Sequence, residues 1–289
     1  MTLLTGEVEL SGGSRLALLM SGPEGGEPLV LLHGIPTGSE LWREIMLLLA
    51  EEGYRCYAPD LPGYGRTRVG RGGDYSIIGA AELIANWLEA AGLEDVWLIG
   101  HDWGGAVAQI MAVRHSDRLG RLTLSDCPVE DSWPVPSVNM FRLLARAGLY
   151  APLASIGLVP NPYAMRQLNK AFYDRNRVRE DTWERVFWDS KVSDRNGRAE
   201  FQRHVAALDN SQTVEVAAEL MEVGMPTLLI WGSNDSFQPW DKVGVRLQAL
   251  LPNPEVRLIE EAGHFHVLEK PEAFVEALLD WRVSEEGSG

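Results

Sequence analysis

The stretch GHDWGG, residues 100–105, constrains what this chain can fold into more than any other six residues in it. It follows the apolar run VWLI, and glycine stands at 100, 104 and 105. Glycines in that pattern remove side chains where a strand turns at once into a helix. The residue at the crest of so sharp a turn is forced into a strained backbone conformation and projects from the sheet edge. That residue is Asp102. A helix N-cap explains an aspartate before a helix, but a cap does not call for three glycines around it. The helix N-terminus beside Asp102 favours the ionised carboxylate. The pattern therefore reads as an elbow that presents a carboxylate to attack carbon.

The rest of the chain supplies the frame for such an elbow. Short apolar runs at 15–20, 28–33, 55–59, 96–100, 121–125, 226–231 and 255–259 read as strands. Three of the first five are almost unbroken, as strands buried on both faces are. Helical patterns separate them. Between 77 and 91 the apolar residues Ala80, Leu83, Ile84, Trp87 and Leu88 share one face, with Ser76 to cap and Gly92 to stop the helix. This alternation predicts an α/β fold with a mostly parallel, doubly wound sheet. From about 132 to 215 the rhythm breaks into an aromatic-rich helical pattern. The expected organisation is a core of 1–131 and 216–289 with a helical cap, 132–215, inserted between.

Charge and composition exclude several function classes. The net charge is −15 and no cluster of Lys and Arg stands apart from acidic neighbours, which argues against nucleic acid or an anionic membrane as partner. No apolar run approaches the ~18 residues of a membrane span. The opening MTLLTGEVELSGGSRL lacks the basic head and apolar stretch of a signal peptide, so a cytoplasmic protein is expected. Cys56 and Cys127 read as small buried hydrophobes rather than a disulfide. No zinc spacing occurs, and neither metal nor cofactor is expected.

A carboxylate nucleophile needs a base to free its ester intermediate. His264, in EAGHFHVLE after the last strand, is the candidate, with His266 as its competitor. The imidazole needs an acid to fix its tautomer. Asp235, just past the strand at 226–231, is the first choice and Asp126, just past another strand, the alternative. The run LLHGIP turns its backbone toward the elbow, so the N–H groups of Ile35 and Trp103 can form an oxyanion hole. The Ile35–Pro36 bond is expected to be cis.

These motifs, in the order HGxP, nucleophile, acid, histidine, resemble the α/β-hydrolase superfamily over essentially the whole chain. GHDWGG with aspartate at the elbow, and GYGRT at 63–67, are similar to its epoxide hydrolase and haloalkane dehalogenase branches. The resemblance implies an alkyl-enzyme ester on Asp102 hydrolysed by water that His264 activates. The leaving group would be an alkoxide assisted by cap tyrosines, with Tyr150, Tyr163 and Tyr173 as candidates, or a halide held by indole N–H groups. Trp103 supplies one indole, and Trp133, Trp183 or Trp188 could supply a second. The segment RAEFQRHVAALDN, where the branches often carry a second tyrosine, has none; His204 stands there as a substitute. The apolar third residue of HGIP favours epoxides, converted to vicinal diols, over haloalkanes. A binding-only member of the fold is disfavoured because Asp102, Asp235 and His264 are all present. The implied partners are a small apolar substrate and water, with the protein a monomer or a homodimer.

Overall fold

A computed structural model describes residues 2–158, 166, 168–187 and 195–286. Eight strands form one sheet: β1 (Leu4–Glu9), β2 (Arg15–Ser21), β3 (Pro28–Leu32), β4 (Arg55–Pro59), β5 (Val96–His101), β6 (Leu119–Ser125), β7 (Thr227–Gly232) and β8 (Glu255–Ile259). Their order is β1-β2-β4-β3-β5-β6-β7-β8. The first two pairings, β1 with β2 and β2 with β4, are antiparallel, and every other pairing is parallel. β1 has no apolar run to betray it. It is an edge strand with alternate residues exposed, held by its register on β2 from Leu4–Met20 to Glu9–Arg15.

The near-continuous apolar runs are buried because helices cover both faces of the sheet. Val30, Leu32, Leu98, Leu122, Leu124, Leu229 and Trp231 point to one side. There they meet α2 (Ile77–Ala91) and α3 (Trp103–Arg114) through Ile84, Trp87, Val107 and Ile110. The alternate residues Leu29, Leu31, Trp97, Ile99, Leu228 and Ile230 point to the other. These pack on α1 (Arg43–Glu51) and the final helix Pro271–Glu286 through Ile45, Leu49, Phe274 and Leu278. Ser76 caps α2 by accepting from the Gly79 N–H at 3.2 Å, and Gly92 ends it in the left-handed conformation.

Between β6 and β7 the described residues are helical, in the segments Pro136–Arg146, Tyr150–Ser155, Glu180–Phe187, Arg195–Ala207 and Ser211–Val216. This stretch lies over the carboxyl ends of the parallel strands. The loop at 170–174 is fixed there by His264 N–H donating to Ala171 O at 2.7 Å and Asp174 N–H donating to Glu269 Oε1 at 2.7 Å. Among the described residues no helix is long and apolar enough to cross a membrane.

Candidate active site

Four strand ends converge beneath those helices. β5 runs straight into α3, and Asp102 between them sits at φ 50°, ψ −124°. The glycines permit this. A Cβ at Gly104 would lie 2.3 Å from Leu32 O, and one at Gly34 would lie 2.3 Å from Asp102 Cβ. Asp102 keeps 16% of its side chain exposed, whereas the side chains of His264 and Asp235 are buried. Its Oδ1 accepts from the Ile35 N–H at 2.7 Å, where the chain turns through the cis Ile35–Pro36 bond. Trp103 opens α3, so its backbone N–H has no partner within the helix. Of the two N–H groups expected to hold an oxyanion, that of Ile35 already rests on the carboxylate, and that of Trp103 follows Asp102 directly in the chain.

His264, on the loop after β8, has Nε2 3.5 Å from Asp102 Oδ2 and Nδ1 2.8 Å from Asp235 Oδ2. Asp235, on the loop after β7, is itself oriented by the Phe237 and Gln238 N–H groups, which donate to its Oδ1 at 2.6 and 3.0 Å. Burial disfavours charge on all three groups, but their mutual attraction wins. The Asp235 charge and the hydrogen bonds to both aspartates hold the His264 pKa well above its ordinary value. The His264 hydrogen bond and charge hold Asp102 below the usual carboxylate range, and the same charge does so for Asp235. The resting arrangement is an imidazolium between two carboxylates.

The competing assignments fall elsewhere. His266 does not face Asp102; its Nε2 lies 2.5 Å from Asp126 Oδ2 and 2.8 Å from Ser125 Oγ. Asp126 follows β6, the neighbour of β7, and stands behind Asp235 rather than against His264 Nδ1. His101, absent from the sequence argument, places Nε2 2.8 Å from the His264 carbonyl and braces that loop. Glu269 does the same from below, accepting from the Gly263 N–H at 2.8 Å. A buried polar residue on a loop or strand end gives no sequence signal for such a role.

Above Asp102 the walls are aromatic. The His204 ring lies 4.4 Å from Trp103 and 5.1 Å from Tyr64, between centroids. Burial lowers the His204 pKa to about 3, so the imidazole is neutral. The buried Trp103 Nε1 has no hydrogen-bond partner among the described residues. Tyr64 is buried, and burial first, then the Asp102 charge, raises its pKa. Tyr150 packs on Phe201, with centroids 5.1 Å apart, and burial raises its pKa strongly. Tyr173 is 48% exposed beneath the Arg177 guanidinium. Trp133 donates its indole N–H to Thr213 Oγ1 at 2.9 Å, and Trp183 lies under Arg175. Tyr163 and Trp188 fall outside the described residues.

Comparison with known proteins places this geometry in a context. A family described as the alpha/beta hydrolase fold matches residues 27–271. A haloalkane dehalogenase of Mycolicibacterium paratuberculosis (strain ATCC BAA-968 / K-10) is 34% identical over 166 residues, 55% of this chain and 54% of that protein. The match thus spans about half the length of that relative. A 2-hydroxy-6-oxononadienedioate/2-hydroxy-6-oxononatrienedioate hydrolase of Paraburkholderia phymatum (strain DSM 17167 / CIP 108236 / LMG 21445 / STM815) is 30% identical over 283 residues, 94% of this chain and 93% of that one. Among solved structures, the epoxide hydrolase CorEH superposes with a TM-score of 0.75 at 24% identity, covering 96% of this chain and 98% of that one. At that identity the likeness speaks to the fold alone.

Proposed function

The chain belongs to the alpha/beta hydrolase fold family, and on that premise we propose that it hydrolyses small apolar haloalkanes through an alkyl ester on Asp102. The observation that carries the reading is the setting of one carboxylate. Oδ1 rests on the Ile35 N–H while Oδ2 faces His264 Nε2. In the first step Oδ2 attacks carbon and the bonding pair leaves with the halide. The ester then has Oδ1 already seated where the oxyanion of its hydrolysis will develop. Alkylation also removes the Asp102 charge, one of the two that hold the extra proton on His264. The imidazolium then yields that proton to solvent water, and the imidazole is a free base when a base is needed. His264, oriented by Asp235, takes a proton from water as the hydroxide adds to the Asp102 carboxyl carbon. Collapse of the intermediate breaks the bond from that carbon to the alkyl oxygen. The alkoxide leaves as alcohol with the proton returned by His264, and the Asp102 carboxyl group then passes its own proton to the imidazole.

The donor set supports halide as the leaving group. An unsatisfied buried N–H costs about 1–3 kcal/mol, a penalty that a bound anion at Trp103 Nε1 would relieve. The neutral His204 imidazole beside it adds a second donor of low acidity. Halide leaves without a proton, so such donors suffice. The dehalogenase relative supports the same reading. The helices between β6 and β7 act in this account as a cap that keeps water out of the first step.

Opening of an epoxide to a vicinal diol is the second reading. Tyr150 favours it, since it is a buried cap tyrosine in the aromatic wall, packed on Phe201. Parallel assays with 1-bromobutane and styrene oxide separate the two. Bromide and butanol in equal amounts, with no diol, are expected. Diol without bromide would replace the first reading by the second, and neither product would remove both. Trp103→Phe should slow bromide release by about 10- to 100-fold.

A further inference from the structure

Behind the histidine, a second buried carboxyl group meets Asp235, and the reaction above does not use it. Asp126 follows β6 at φ 43°, and because β6 and β7 are hydrogen-bonded neighbours its side chain reaches the Asp235 loop. Both carboxyl groups are fully buried. One oxygen of each and a ring nitrogen of His264 all lie within 4.8 Å of one another. Two buried carboxylates this close repel each other unless one of them carries a proton.

The surroundings of Asp126 support a shared proton. It is faced by Ser125 Oγ at 3.1 Å from β6, the Gly232 N–H at 3.1 Å and Asp235 from the β7 side, and His264 and His266 from the loop after β8. The Cys127 thiol beside it is buried and un-ionised, and Glu269 lies within electrostatic reach of His266. His266 is neutral, its pKa lowered to about 3 by burial. The positive charge in this set is therefore His264, which already stands between Asp102 and Asp235. A third carboxylate would be buried with hydrogen-bond donors but with no countercharge of its own.

We propose that Asp126 and Asp235 hold one proton between them, with Asp126 the carboxylic acid that donates to the Asp235 carboxylate, and that Asp126 is thereby a positioning residue for His264. The inference rests on the reading of Asp235 as the group that orients His264. It completes the hydrogen bonding of Asp235, which accepts from Phe237, Gln238 and His264 and has room for one more donor. A donor on Asp235 lowers its basicity and so sets the pH at which His264 releases its second proton. Without that donor, Asp235 attracts the proton more strongly and His264 becomes a free base only at higher pH.

Infrared difference spectra of the whole protein test the pair without reference to any substrate. At pH 7 a protonated-carboxyl C=O band is expected in the wild type and absent in Asp126→Asn. If the two spectra match there, Asp126 is ionised and the proposal falls. The acid limb of the pH–rate profile gives the second readout. Asp126→Asn keeps an N–H donor for Asp235 and should hold kcat within about threefold, with the limb unmoved. Asp126→Ala should raise the limb by about one pH unit and lower kcat about tenfold below it, with KM unchanged. Equal shifts in both variants would overturn the donor role, and loss of activity with an unmoved limb would reduce Asp126 to packing. Should Asp126→Ala fail to fold, the near-isosteric Asn variant still decides through its band. If the protein turns over no haloalkane or epoxide, the infrared result stands alone, so the two readings fail separately.

Discussion

Asp102 sits at φ 50°, ψ −124°, and asparagine matches its side chain in shape while lacking its charge. Asp102→Asn therefore changes the proposed nucleophile while leaving the turn its geometry. Turnover should fall by on the order of a thousandfold or more, with the unfolding midpoint in urea held near that of the wild type. Wild-type rates in a sample shown by mass spectrometry to be free of deamidation would remove the covalent step. His264→Gln tests the second half. It keeps the ester-forming carboxylate and removes the base, so one equivalent of bromide should appear in a burst. The intact protein mass should then rise by one alkyl group mapped to Asp102. Absence of both burst and adduct would mean that His264 acts before the ester forms. Asp102 was legible at this scale because glycines at fixed offsets describe a turn, and a turn has a crest. His264 and His266 were not separable, since both follow the same strand and only the fold decides which one faces β5.

At the scale of elements, the glycine that matters is the one wedged between backbones. The Cβ of an alanine at 104 would meet Leu32 O at 2.3 Å and His33 O at 2.6 Å, and neither carbonyl can yield without moving β3. Gly104→Ala should destabilise the fold by about 3 kcal/mol or more, read as a loss in the urea midpoint. Gly92, left-handed after α2, has nothing within 4 Å of its Cβ position, so Gly92→Ala should cost only about 1 kcal/mol. A similar loss in both would show that the approach of β3 to α3 is looser than these distances require. The buried parallel strands and α2 were readable because an apolar run or a 3.6-residue stripe is a local pattern. β1 was not, being an exposed edge whose only instruction is its pairing with β2. The meeting of Asp126 with Asp235 was hidden for the same kind of reason. It follows from β6 and β7 lying side by side, which the long chain between Ser125 and Thr227 conceals.

For the whole molecule, the buried titratable groups set a stability optimum near neutral pH. His101, His204 and His266 are buried and neutral, with pKa values lowered to about 3 by burial. In the unfolded chain they take up protons below ~6.5. At pH 5 unfolding thus binds three protons at these sites. Asp126 opposes this, because its folded pKa is raised and it already carries a proton that the unfolded chain would release. His264 is protonated in both states at that pH and contributes nothing. The net uptake is about two protons, so stability should fall by about 2.7 kcal/mol per pH unit around pH 5. Below pH ~4 the lowered pKa values of Asp102 and Asp235 steepen the loss, since the unfolded chain protonates them first. Above neutrality the sign reverses. The unfolded chain releases protons that native His264 and Asp126 retain, and stability declines again. Unfolding free energies from urea titrations at half-unit steps between pH 4.5 and 9 should trace this dome. A flat profile between pH 6 and 4.5 would mean that the three histidines charge in place, and that the packing around the strand ends admits water.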